Sequence, residues 1–131
     1  MKRKVVATIG SVILSVVGAA YLWPHPARSS LPSTATDIRT LSAGPSGMTA
    51  DIWYQLKAKI TPEEFKQFVT DMKLTPIPSG EDAQFGGHSG ADWWDASYAS
   101  VGALVRIHSQ SSFERAKHEN GYLYYIDSTG Y

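Results

Sequence analysis

The chain has 131 residues, no cysteine, and twelve basic against twelve acidic residues, so its net charge is zero. Lacking cysteine, it has no disulfide, no thiolate ligand for zinc, no thiol nucleophile and no lipoprotein attachment site. Lys2, Arg3 and Lys4 head the chain, and residues 24–131 keep nine bases against twelve acids, a mildly acidic balance that argues against a nucleic-acid partner.

The basic head precedes an uncharged, mostly apolar run at residues 5–23, which Pro24 ends. Its 19 residues match the length of about 20 that an α-helix needs to cross a bilayer core. Val5, Ile9, Ile13, Leu14, Val17, Leu22 and Trp23 are its membrane-facing candidates. The bases before it predict a cytoplasmic N-terminus and a domain on the periplasmic or extracytoplasmic side of the inner (cell) membrane. A cleaved signal peptide is the alternative, since Val17-Gly18-Ala19 and Gly18-Ala19-Ala20 offer small residues to a signal peptidase. The apolar run continues past them to Trp23, an interface residue type, which favours an uncleaved anchor.

Residues 24–36 hold three prolines among Ser, Thr and Ala, and predict an extended tether. A single domain then fills residues 37–131. Residues 37–42 alternate weakly and predict a short strand, followed by a turn cluster at Ala43-Gly44-Pro45-Ser46-Gly47. From 52 to 60 the alternation is strict: Ile52, Tyr54, Leu56, Ala58 and Ile60 against Trp53, Gln55, Lys57 and Lys59. One face is expected to be buried and the other wet. Thr61-Pro62-Glu63-Glu64 is a capping box with proline at the first helical position. Phe65, Phe68, Val69 and Met72 follow as one apolar stripe, and Pro76 and Pro78 place the helix end near Lys73. Glycines interrupt residues 75–100 repeatedly, and a loop of that length in a small domain is commonly functional or mobile. Residues 101–108 read as a strand, and 113–118 as a strand or a helical turn. Asn120-Gly121 signals a type I′ hairpin into Tyr122-Leu123-Tyr124-Tyr125-Ile126. Asp127-Ser128-Thr129-Gly130 reads as a further turn. The expectation is an α+β protein: an N-terminal transmembrane helix, then a small, mostly antiparallel sheet with one helix on one face, in the order β-β-α-loop-β-β-β.

Two groups could carry a function. Asp92, Trp93, Trp94 and Asp95 put aromatic plates beside carboxylates, which suits a carbohydrate or peptide site, and His88 lies within reach in sequence. The alternative is that one Trp closes the sheet and the other lies on the surface. His88, Asp92 and Asp95 could reach one cation, but they supply a single imidazole on a Gly-rich loop, so no metal site is assigned. Trp53, Lys57 and Lys59 stand together on the expected wet face as a partner patch, or else as a second, smaller core beneath the long loop. The chain has no nucleophile elbow and no P-loop lysine. No catalytic residue and no cofactor is assigned.

Three segments together, Leu31-Pro32-Ser33-Thr34-Ala35-Thr36-Asp37-Ile38, Asp51-Ile52-Trp53-Tyr54 and Thr61-Pro62-Glu63-Glu64-Phe65, resemble a loose group of small bacterial membrane-anchored or lipid-anchored proteins of uncharacterised function. The likeness covers about half the chain. It implies the anchor, the linker and the strand-then-helix order, and one more aromatic strand after the Ser-Thr-Gly turn; it transfers no active site. The expected function is a membrane-tethered extracytoplasmic module binding another envelope protein or ligand. Alternatives are a small envelope hydrolase acting on glycan or peptide, with Asp92, Asp95 and His88 in its site, and an immunity-type inhibitor whose long loop plugs a toxin's cleft.

Overall fold

The strict alternation at 52–60 does become a strand, and most of the domain is organised around it. The computed structural model describes residues 24–43, 52–77, 85, 91–98, 102–109 and 112–129. In chain order its elements are α1 (Pro26–Ser29), β1 (Thr36–Ala43), β2 (Ile52–Lys59), α2 (Pro62–Asp71), β3 (Thr75–Pro76), β4 (Leu104–Ile107), β5 (Ser112–Glu119) and β6 (Tyr122–Thr129). The strands form one six-stranded sheet in the order β1-β2-β6-β5-β4-β3, with every neighbouring pair antiparallel.

This corrects the expected class. Among the described residues the protein is mostly an antiparallel sheet with little helix, the ten residues of α2 and the four of α1. Strands gained where the sequence has no strand pattern shift the balance. Thr75-Pro76 pairs with β4, and β6 runs on through Asp127 and Ser128 where a turn was expected. Those residues are held between β2 and β5, with Asp127 opposite both Tyr54 and Glu114. Ladder bonds on both sides override the local turn preference of Asp and Ser. The expected membrane-crossing segment at 5–23 lies outside the described residues, among which no helix is long and apolar enough to cross a membrane.

The even face of β2 is buried as its pattern requires. Tyr54, Leu56, Ala58 and Ile60 pack with Leu123 and Tyr125 of β6, with Phe68 of α2 and with Met72 at its C-cap. The capping box of α2 is complete: Glu64 N donates to Thr61 Oγ1 at 3.1 Å, and Thr61 N donates to Glu64 Oε1 at 2.9 Å. Lys73 ends the helix in the left-handed region, φ +57°, while Leu74 N donates to Val69 O. That conformation costs a side-chain-bearing residue about 1–2 kcal/mol, and glycine is the usual occupant. Lys73→Gly is therefore expected to raise stability by about 0.5–1 kcal/mol in urea unfolding. The hairpin between β5 and β6 forms as expected, with Asn120 at φ +52° and Gly121 at φ +82°, the two positive values a type I′ turn needs.

Residues 24–35 do not extend away as a tether. Ala27 on α1 is wholly buried in the α2-side core, with Leu31 and Ala35 packed against it. His25 caps α1 by accepting from Ala27 N through Nδ1 at 3.1 Å. Its Nε2 meets Asp127 Oδ2 at 2.8 Å, and its ring stacks on Tyr54 at 4.0 Å. Thr34 donates to Glu64 on the helix. The composition suggests an extended spacer because Ser, Thr and Pro dominate it; the contacts of His25, Ala27, Leu31, Thr34 and Ala35 fasten it to the domain instead.

Candidate functional site

The second face of the sheet carries the residues that the sequence singled out. Alternation on β2 puts Trp53, Gln55 and Lys57 there, and on β6 Tyr122, Tyr124 and Ile126. This face is not wet. Gln55 is wholly buried and Lys57 nearly so. Trp53 joins a second apolar cluster with Phe85, Trp94, Ala96, Phe113 and Tyr124, and its Nε1 donates to Gln55 Oε1 at 2.7 Å. Lys59 is exposed.

Residues 91–98 cross this face as a strap. Trp94 sets its ring edge-on to Tyr124 at 5.1 Å and donates to Phe85 O at 3.0 Å. Two sheet lysines clasp the strap. Lys57 Nζ donates to Asp95 Oδ1 at 2.8 Å and approaches Trp93 O at 3.5 Å, with its ammonium 4.4 Å from the centre of the Tyr122 ring. Lys117 Nζ donates to Ser97 O at 2.7 Å and Ser97 Oγ at 2.9 Å and lies 3.0 Å from Glu119 Oε2. Each buried ammonium is thus met by oxygen, which permits a charge under the strap.

Between the strap and β1 lies a polar groove of about 380 Å³, lined by Asp37, Arg39, Lys57, Asp92, Trp93 and Asp95. It brings four of the sequence-selected residues together: Lys57, Asp92, Trp93 and Asp95. Trp94 lies beneath, its ring edge-on to Trp93 at 6.1 Å. Trp53 and Lys59 do not line the groove, and His88 lies outside the described residues. Asp37 and Arg39 had no sequence signal of their own. The hairpin register supplies one, since Arg39 stands opposite Lys57 and so shares its face. Asp37, at φ +48° in the irregular pairing between Thr36 and Arg39, accepts from Tyr122 OH at 2.8 Å.

The electrostatics are those of ionised carboxylates. The Lys57 ammonium, and then the Tyr124 hydroxyl at 2.6 Å, hold the Asp95 carboxyl below its ordinary range. The Tyr122 hydroxyl, and then Arg39, do the same for Asp37. Burial, and then the bond to Asp95, push the Tyr124 hydroxyl up. Because the folded-state pKa of Asp95 is lowered, its contribution is complete above the ordinary aspartate value of 3.8 and is lost as pH falls through the lowered one. Acidification below about pH 4 is therefore expected to free Lys57 from Asp95 and loosen the strap. The readout is a change in tryptophan fluorescence between about pH 4 and 2 that disappears in Asp95→Asn.

Asp37 and Asp95 are both held down, the opposite of the raised carboxyl that a glycosidase uses as its proton donor. Among the described residues no three His, Asp or Glu side chains are placed to hold a metal. What the groove offers is the indole of Trp93 as an apolar plate, carboxylates for amine or hydroxyl donors, and the guanidinium of Arg39 for an acceptor. No family model, curated protein or solved structure matches the chain.

Proposed function

We propose that the domain is a non-enzymatic binding module, held at the extracytoplasmic face of the cell membrane by the apolar segment at 5–23, and that it takes an envelope ligand or the surface of an envelope protein in the groove beside Trp93. The gathering of Lys57, Asp92, Trp93 and Asp95 with Asp37 and Arg39 around one opening carries this reading. Its volume lies within the range of small ligand sites, about 300–1,000 Å³. The half-buried indole against ionised carboxylates suits a sugar ring or a peptide bearing an amine, and peptidoglycan fragments carry both. The basic head and apolar run support the location.

The test is titration of the full chain in detergent with soluble peptidoglycan fragments, read by tryptophan fluorescence and calorimetry. Trp93→Ala is expected to weaken binding at least about ten-fold, or about 1.4 kcal/mol, while the melting temperature holds. Unchanged affinity in Trp93→Ala would move the site elsewhere. Turnover of the fragments that Asp92→Asn or Asp95→Asn abolishes would make the protein a hydrolase.

A further inference from the structure

The groove opens onto β1, which ends the sheet. The backbone groups on its outer edge follow from the ladder. Ile60 N donates to Gly121 O at 3.2 Å, continuing the β2–β6 register, so even-numbered residues of β2 direct their backbone groups toward β6 and odd-numbered ones toward β1. Arg39 and Leu41 stand opposite Lys57 and Gln55, and Thr40 and Ser42 opposite Leu56 and Tyr54. The N–H and C=O of Thr40 and Ser42 are therefore the ones that point away from the sheet. The irregularity between Thr36 and Arg39 confines this regular edge to residues 39–43, because a bulge ends strand pairing locally.

A second cleft, of about 460 Å³, flanks the same edge on the α2 side, where Thr40 and Ser42 meet Pro24, Arg28, Ile52 and Tyr54. Ile52 is 43 % exposed. The open edge thus has the polar groove on one face and a largely apolar cleft on the other. A strand laid against β1 sends successive side chains alternately to the two faces.

We infer that the occupant of this site is an extended segment of another protein, which adds to the sheet as a strand beside β1. This rests on the binding-module reading and narrows its ligand from envelope molecules in general to a polypeptide. The clefts state its chemistry. The residue opposite Arg39 enters the groove, where Asp37, Asp92 and Asp95 outnumber the two bases, the Arg39 guanidinium is engaged by Asp37 and the ammonium of Lys57 by Asp95; a basic side chain that reaches past Arg39 fits there. The residue opposite Ser42 lies three positions away in the added strand and on the other face, where an apolar side chain meets Ile52 and Tyr54. Backbone bonds to Thr40 and Ser42 supply affinity that is indifferent to sequence, and the two clefts select. A sugar would occupy one cleft and leave the edge unused. A second copy of this chain fits worse, since Arg39 is the sole base in β1, and setting it opposite Arg39 in an antiparallel pairing brings Thr36, a polar residue at the irregularity, opposite Ser42.

The test uses the full chain in detergent and a fluorescein-labelled, blocked peptide of about ten residues, with Ile and Lys three positions apart in a Thr/Ser background. Binding is expected to weaken at least about ten-fold when the peptide Lys becomes Glu, and as much in Ser42→Pro, which removes an outward donor without touching a β1–β2 bond. Amide exchange on the unsubstituted chain is an independent reading: the Thr40 and Ser42 amides are expected to slow at least about ten-fold with saturating peptide. Should Ser42→Pro keep its fold and bind equally well, or should those amides exchange at an unchanged rate, the strand-addition inference is overturned. If the peptide fails while peptidoglycan fragments still quench Trp93, this inference falls and the binding module stands; if neither binds, both fall. A dimer in sedimentation that Ser42→Pro dissolves would overturn it in favour of a second copy.

Discussion

Phe68→Ala is expected to lower unfolding stability by about 3–5 kcal/mol. Phe68 is wholly buried and sets its ring edge-on to Tyr125 at 5.8 Å. Its neighbours on the helix stripe, Phe65 and Val69, are only partly buried. Phe68 is thus the wedge that fixes α2 to the sheet, and the backbone of β2 and β6 is too well paired to collapse into the void. Urea unfolding by circular dichroism reads the effect as a lower midpoint at constant slope. A loss under about 1 kcal/mol would show that α2 is held by its capping box rather than by packing.

Lys117→Ala is expected to cost about 2–4 kcal/mol and to release the strap. The Lys117 side chain is 3 % exposed, against 28 % for Glu119, so water can partly rescue the carboxylate; this keeps the estimate below the full cost of a broken buried pair. The lost groups are the bonds to Ser97 O and Oγ and the ammonium 4.9 Å from the Phe85 ring. Faster proteolysis within 91–98 reports the release, and loss of ligand binding accompanies it, since Trp93 and Asp95 are positioned by the same segment. Lys117→Met keeps the aliphatic stem and is expected to fall between the wild type and Lys117→Ala. Strap cleavage no faster than in the wild type would assign the fastening to Lys57 and Trp94.

Local signals read well wherever one segment fixes its own geometry. Thr61 with Glu64, the Asn120-Gly121 turn and the even face of β2 are examples, each carrying its information within a few residues. Alternation alone reads the odd face of β2 as wet, because Gln55 and Lys57 have the polarity of a solvated surface, whereas the burial tendency of Trp53 points to the second, smaller core that is observed. Gln55 and Lys57 are buried because Trp53 and Asp95 meet their polar atoms, and Asp95 lies 38 residues on in sequence. Burial of a polar side chain depends on its partner, and alternation carries no information about a distant one. Asp127 and Ser128 mislead similarly, because pairing on two sides outweighs their local preference. The groove was legible in part: the aromatic–acid cluster stood out by composition, whereas Asp37 and Arg39 join it only through the β1–β2 register.

The stacking of His25 on Tyr54 bears on how the domain is mounted. Its ring and its bond to Asp127 grip the chain at the first residues described, while Lys57, at the groove, stands three residues further along β2, about 10 Å away. Residues 24–35 therefore belong to the sheet's own core and leave no slack ahead of β1.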